Sequence, residues 1–287
     1  MLVRATKWED LDAVVELLGA QNRAASGVAG VRAEHLRSEW KVPGFVLGRD
    51  NLVVEEAGRL VGYGAVTIRQ ELVLAAAGDV VADELLERLS ARARELGFGS
   101  LTLTVLSEAS PLAGFAERHP FRLDRVTLLM RRPLGKPLPE RLPPEGIAIR
   151  TFEPADAESV HRLLDDSYLA WDARYVPMAH DAWVSWMIGD SEFDPRVWWI
   201  AERSGELAGC ALHWNSGWLK DIAVSAAERG RGLGAALVGQ GLSEFSRRGV
   251  ATVGLKVDAS NPTGAVRLYE RLGFSTVGTE TIWLLPL

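Results

Sequence analysis

Apolar positions follow two periods along this chain, and the order in which the periods alternate predicts its elements. Val197–Ala201 and Leu207–Trp214 are dense in strand-forming residues, and the Ser204-Gly205 pair between them reads as a hairpin turn. Asn215-Ser216-Gly217 is a second turn, returning the chain into a strand over Trp218–Val224. The spacing from Leu233 to Arg248 predicts a helix closed by Gly249. Thr252–Val257 is again strand-like, and Asn261 is placed to cap a helix with Pro262 in its first position, running to Leu272 before Gly273. A short strand and a helical stretch come before the first hairpin. The fold class this predicts is α/β, a mixed sheet with helices on both faces.

The same order occurs twice. Arg4, Asp10, Val14 and Leu17 correspond to Arg150, Asp156, Val160 and Leu163. GRLVGYGAV from Gly58 matches GELAGCALH from Gly205, and LGFGSLTLTV ending at Val105 matches RGVATVGLKV ending at Val257. ERHPF from Glu117 answers ERLGF from Glu270, and the offset drifts only from 146 to 153. Four matches in one order indicate a tandem duplication of one fold. Between the halves, RRPLGKPLPERLPPEG from Arg131 to Gly146 holds five of the thirteen prolines and reads as an extended linker. The expected division is a first domain over 1–132, a linker over 133–146 and a second domain over 147–287.

Composition narrows the class without naming the chemistry. An apolar content of 47% with 24% charged residues in 287 residues is that of a globular protein. No apolar run approaches the roughly 18–20 residues that cross a bilayer, and Met1–Asp12 is charged where a secretory signal would be apolar. Cys210 is the only cysteine, which excludes an intrachain disulfide and a cysteine-built metal site. These features predict a cytoplasmic protein with no membrane partner. A net charge of −6 argues against a nucleic-acid partner.

The segment LKDIAVSAAERGRGLGAALV, Leu219–Val238, carries the chemical signal. Glycines at 230, 232 and 234 allow positive φ and close approach of a ligand where a strand passes into a helix. First-turn amides of a helix have no intrahelical partners and face outward at the positive end of the dipole. Each hydrogen bond from such an amide to a charged oxygen is worth roughly 1.5–3 kcal/mol, so several amides with Arg229 and Arg231 nearby make a pyrophosphate cradle. No Lys-Ser/Thr follows the glycines, and an antiparallel hairpin precedes the loop. Those two features argue against a P-loop and a dinucleotide fingerprint respectively.

Arg229-Gly230-Arg231-Gly232-Leu233-Gly234 resembles the acyl-CoA signature of the GNAT acetyltransferases, and NPTGAVRLYERLGF from Asn261 resembles their second cofactor segment. The resemblance covers 147–287 and implies acetyl-CoA as acyl donor, with no metal. It implies that Ile222, Ala223 and Val224 meet the pantetheine arm, Ile222 and Val224 through backbone groups in the manner of an added strand. It further implies that Arg229, Gly230, Arg231, Gly232, Leu233, Gly234 and Ala235 hold the pyrophosphate, and that Asn261 touches the cofactor. The tandem arrangement with a degenerate first half is similar to that of the mycothiol synthases.

Tyr269, with Ala265, is expected to share a helix face with Asn261. In GNAT enzymes a tyrosine here protonates the departing thiolate, and core packing is its alternative role. The base is open. Many GNATs carry a glutamate six residues before the position of Val224, where this chain has Trp218. Asp221 is three residues before Val224, and strict alternation turns it to the opposite face. His213, a water chain or an already neutral amine remain alternatives. Cys210 reads as a small buried residue.

In the first half, LAAAGDVVADELLERL from Leu74 aligns with the glycine loop, but Val80 and Ala82 replace Gly232 and Gly234. Asp79, Asp83 and Glu84 crowd the helix start, where they would repel a phosphate, and Ala116 replaces Tyr269. This half is expected to be a non-catalytic copy without cofactor. The function implied is transfer of an acetyl group from acetyl-CoA to an amine of a small molecule or peptide by direct attack. The alternatives are acetylation of a cysteinyl sugar and non-catalytic acyl-CoA binding. The excess of acidic residues from Asp165 to Asp194, with Arg174 among them, suggests a cationic acceptor.

Overall fold

The computed structural model describes residues 1–26, 30–107, 110–135, 141–172 and 175–287. The chain divides into one unit formed by Met1–Val126 with Thr279–Leu287 and a second formed by Thr127–Gly278. The linker expected over 133–146 is described only in part. Its first residue, Pro133, ends a strand, and the Leu134 amide continues the pairing by donating to Ala251 O at 2.9 Å.

The first unit runs β1 (Leu2–Ala5), α1 (Leu11–Ser26), α2 (Ala33–Glu39), β2 (Asn51–Glu56), β3 (Arg59–Val66), β4 (Glu71–Ala76), α3 (Asp79–Glu95), β5 (Ser100–Val105) and α4 (Pro111–Arg118). β6 (Arg122–Pro133) leads into the second unit, which runs β7 (Ala148–Thr151), α5 (Ala157–Leu169), α6 (His180–Met187), β8 (Trp199–Arg203), β9 (Glu206–Trp214), β10 (Trp218–Val224), α7 (Leu233–Arg247), β11 (Thr252–Asp258) and α8 (Ala265–Arg271). β12 (Ser275–Pro286) ends the chain. Strands of the first unit lie in the order β1-β2-β3-β4-β5-β12, and those of the second in the order β6-β11-β10-β9-β8-β7.

The expected α/β class and the expected repeat are both present, with one difference in connectivity. β6 comes from the first half yet pairs antiparallel with β11, from Thr127↔Asp258 to Pro133↔Thr252. β12 comes from the second half yet pairs with β5, from Thr281↔Val105 to Pro286↔Ser100. Each half thus gives its final strand to the other's sheet, where the sequence reading had kept each strand at home. An alternating strand carries the same pattern whichever edge it joins, so periodicity cannot distinguish the two arrangements.

Local devices recur at matched positions. Arg4 pairs with Asp10 at 2.8 Å and Arg150 with Asp156 at 2.7 Å, in each case fixing the start of the first helix to the first strand. Arg4 also meets Glu55, and Arg150 meets Glu202, which ties each first strand to its neighbour. The hairpin turns Ala57-Gly58 and Ser204-Gly205 both take positive φ, 50° and 75° in the first and 52° and 84° in the second. Two positive-φ residues in a two-residue loop match the twist of the flanking strands.

The second unit's core holds Trp198, Ile200, Leu212, Leu237, Phe245 and Leu255, all buried between the sheet and its helices. No helix among the described residues is long and apolar enough to cross a membrane.

Candidate active site

In the second unit, β10 and β11 run parallel but pair only through Trp218↔Gly254 and Leu219↔Leu255. The half-buried Trp218 ring lies so close to Gly254 that a Cβ there would come within 2.6 Å of it. From Asp221 to Val224, β10 is paired with β9 alone among the described residues. Its other edge, at Ile222, Ala223 and Val224, is open, and an open edge can accept hydrogen bonds from an extended ligand as a further strand would supply them.

The glycine loop follows this edge. Arg229 Nε donates to Val224 O at 3.1 Å, folding its side chain back onto the strand end. Glu228 is buried and accepts from Arg203 Nε at 2.7 Å and Nη2 at 3.1 Å, with Arg231 3.6 Å away. The Arg203 hydrogen bonds hold the Glu228 carboxyl below the usual carboxylate range, so the loop's one buried carboxylate is neutralised from outside the cradle. Gly230 and Gly232 have φ of 75° and 89°, and a Cβ on either would meet nothing within 4 Å; conformation, not space, demands glycine at both. Gly234 is the opposite case. A Cβ there would lie 3.3 Å from Leu268 Cδ2 and 3.7 Å from Ile222 Cδ1, so it lets α8 and β10 close on the start of α7.

Gly232 is the N-cap of α7 and offers no side-chain cap. Ala236 is the first residue whose amide returns to the helix, to Gly232 O at 3.1 Å. The amides of Leu233, Gly234 and Ala235 therefore stand at the positive end of a 15-residue helix without intrahelical partners. This is an anion cradle beside an open strand edge, and it fits the pyrophosphate and pantetheine of a coenzyme A thioester.

Asn261 behaves differently from the expected helix cap. Its Oδ1 accepts from Thr263 N at 2.9 Å and Thr263 Oγ1 at 2.5 Å, shaping a turn. α8 begins only at Ala265, with Gly264 at φ 81° as its N-cap. Tyr269 and Ala265 share that helix, but Asn261 lies outside it. The Asx turn wins because Asn261 bonds the backbone two residues on more readily than it caps a distant helix.

Asp221 follows directly on an irregularity of its strand. β10 carries a β-bulge at Lys220: Leu219 lies opposite His213, and Asp221 opposite Leu212. One extra residue reverses the parity of everything beyond it. Trp218, Asp221 and Ala223 therefore face the same way, opposite Trp214, Leu212 and Cys210. Ile222 and Val224 face the α7 side, where a Cβ on Gly209 would meet Leu233 and Leu237. Asp221 faces away from Val224, as alternation counted from Val224 places it; the bulge brings Trp218, six residues before Val224, onto the Asp221 face.

On that face Asp221, 9% exposed, accepts from Tyr168 Oη at 2.6 Å and from Lys220 Nζ at 3.2 Å. Lys220 Nζ also sits 4.7 Å above the Trp186 ring. Tyr168 stacks on Tyr175 at 4.9 Å, and the Tyr175 hydroxyl donates to Asp165 at 2.7 Å. Tyr269 is buried with its ring edge-on to Phe274 at 5.8 Å. Burial, and after it the Asp221 charge, raises the Tyr269 phenol well above its ordinary range. The same two causes raise Tyr168 and push the Cys210 thiol up to about 12, which leaves Cys210 unreactive as expected. A mid-strand aspartate among apolar residues was the available signal for Asp221, because a buried carboxylate must find partners.

His213 is not in the cleft. Its ring is fully buried on the α7 face, with Nδ1 3.0 Å from Val197 O and a T-shaped contact to Phe245. Burial lowers its pKa to about 4. Three of the acidic residues in the segment after α5 are structural: Asp190 accepts from Glu192 N, Glu192 from Ser216 N, and Asp194 from Arg196 and Arg248. Arg174 lies outside the described residues.

Comparison with known proteins agrees with this geometry. The family model described as "Acetyltransferase (GNAT) family" matches residues 157–274. A mycothiol acetyltransferase of Thermobispora bispora is 35% identical over 207 residues, 66% of this chain and 66% of that protein. A mycothiol acetyltransferase of Parafrankia sp. is 32% identical over 330 aligned positions, 99% of this chain and 97% of that protein. Among solved structures, a GCN5-related N-acetyltransferase from Sphaerobacter thermophilus superposes with a TM-score of 0.77 at 25% identity, covering 99% of this chain and 95% of that one. A tandem GNAT protein from the clavulanic acid biosynthesis pathway, at 17% identity and a TM-score of 0.74 over 99% of this chain and 98% of its own, shares the fold.

Proposed function

The chain belongs to the GNAT acetyltransferase family, and from that premise we propose that its second unit transfers an acetyl group from acetyl-CoA to a primary amine of a small molecule or peptide. The observation that carries this reading is the uncapped start of α7 beside the unpaired edge of β10. The first-turn amides of Leu233, Gly234 and Ala235, with Gly230, Arg231 and Gly232, would hold the pyrophosphate. Arg229 would fix the loop to the strand. Ile222, Ala223 and Val224 would bind the pantetheine arm along the open edge, and the side-chain Nδ2 of Asn261 would reach its outer part. Bound there, acetyl-CoA supplies an acetyl group activated as a thioester.

Tyr269 keeps its proton at neutral pH and is the group to give it to the leaving sulfur, a role typically worth about 10² to 10⁴ in rate. Attack would be direct, without a covalent enzyme intermediate, and Cys210, buried with its thiol pushed up to about 12, is no candidate for one. The first unit is read as a support without cofactor, and the enzyme as cytoplasmic. A narrower reading of the acceptor, the amine of a cysteinyl sugar, is favoured by the relatives named mycothiol acetyltransferases.

The test is incubation with acetyl-CoA and a panel of primary amines: cysteinyl-glucosamine, polyamines, an aminoglycoside and basic peptides. Mass spectrometry would follow the acetylated product. Turnover of at least one amine is expected. Acetyl-CoA binding with no product from any of them would replace the enzyme with an acyl-CoA-binding protein.

A further inference from the structure

Resting on the acetyltransferase reading, we propose that Asp221 is the proton acceptor for the attacking amine and that Tyr168 positions it. The bulge at Lys220 sets Asp221 on the face of β10 away from α7, level with the part of the strand whose edge toward β11 is open. The Tyr168 hydroxyl, 2.6 Å from Oδ1, fixes the carboxylate on that face, and the Asp221 charge is, after burial, the second cause that raises the Tyr269 phenol. A carboxylate on the strand and a phenol on α8 are the group types that accept and donate the protons of such a transfer.

The groups facing Asp221 are Tyr168 from α5, Lys220 from its own strand, Cys210 from β9 and Tyr269 from α8, with Tyr175 and Asp165 behind Tyr168. Tyr168 holds Oδ1 with a short bond of 2.6 Å, while among the described residues Oδ2 has the 3.2 Å contact to Lys220. Lys220 Nζ lies over the Trp186 ring while it touches Oδ2, and an incoming primary ammonium, with the same charge and donors, would take Oδ2 in its place.

The proton balance closes. Asp221 takes one proton from the ammonium, freeing the nitrogen lone pair. The C–N bond forms as the C–S bond breaks. Tyr269 gives its hydroxyl proton to the sulfur and is reprotonated from the nitrogen, and Asp221 returns its proton to solvent.

The experiment measures kcat/KM for cysteinyl-glucosamine, or for whichever panel amine the wild type uses, from about pH 4, where carboxylates titrate, to about pH 10 in Asp221→Asn, Asp221→Glu and Tyr168→Phe. Calorimetry checks acetyl-CoA affinity in each. Asp221→Asn should lose about 10²-fold near neutral pH, with the deficit narrowing as pH rises through the amine's own pKa, and acetyl-CoA affinity unchanged. Asp221→Glu should recover part of the loss. Tyr168→Phe should move the acid limb of the profile to higher pH, because the carboxylate loses a hydrogen bond. Asp221→Asn with a wild-type profile, or with the same loss at every pH, would overturn the assignment. If Asp221→Asn no longer binds acetyl-CoA, Tyr168→Phe decides: an acid limb at the wild-type position overturns the proposal. A wild-type enzyme that acetylates no amine is a failure of the acetyltransferase reading itself.

Discussion

The two units part their parallel strands at the same place, yet only one follows the gap with a cradle. In the first, β4 and β5 pair through Glu71↔Thr102 and Leu72↔Leu103; in the second, β10 and β11 pair through Trp218↔Gly254 and Leu219↔Leu255. Beyond that point the chemistry diverges. α3 begins behind an extended Gly78, and the carboxylates near its start are engaged by α4, Asp79 with Arg118 at 2.6 Å and Asp83 with His119 at 2.9 Å. α7 begins behind a left-handed Gly232 with no carboxylate at its start. β4 pairs with β3 without a bulge, and Val73 stands as far from the strand end as Asp221 does in β10. Ala116 is buried where the second unit has Tyr269. The two units keep one fold through backbone geometry and a few ion pairs, whereas the chemistry proposed for the second would rest on a handful of side chains and one inserted residue.

The comparison breaks most easily at the glycines. Gly234→Asp should abolish acetyl-CoA binding, because its Cβ meets Leu268 and its charge enters the anion cradle. Val80→Asp, at a 70% exposed position near the start of α3, should leave binding unchanged. Calorimetry on both variants, with thermal melts to confirm folding, checks the pair; equal loss in both would erase the distinction between the units. A smaller effect is expected from Tyr269→Phe. The ring and its contact with Phe274 stay, so acetyl-CoA affinity should hold while kcat falls about 10²-fold. Unchanged kcat, with chemistry shown to be rate-limiting by single-turnover measurement, would leave Tyr269 as a packing residue like Ala116.

Much of the second unit was legible because its turns demand particular residues. Ser204-Gly205, Asn215-Ser216-Gly217 and the glycines of the loop each announce a backbone conformation, and β10 and the start of α7 fall where those signals put them. The bulge at Lys220 was not legible. Both faces of β10 are covered, so Leu219, Asp221 and Ala223 are all buried although the parity changes between the first two. Burial reports depth, not direction, and no hydrophobic pattern marks an extra residue. The destinations of β6 and β12 were hidden for a related reason: an alternating strand fits either sheet edge. Asn261 was misjudged because capping and Asx-turn formation need the same side chain, and only the position of Gly264 separates them.

On the proposed function, the second unit binds acetyl-CoA and the first does not. Titration calorimetry of the whole chain with acetyl-CoA tests it directly. One acetyl-CoA per chain is expected. Two equivalent sites would contradict it, since the start of α3, with its paired carboxylates, would then be holding a pyrophosphate.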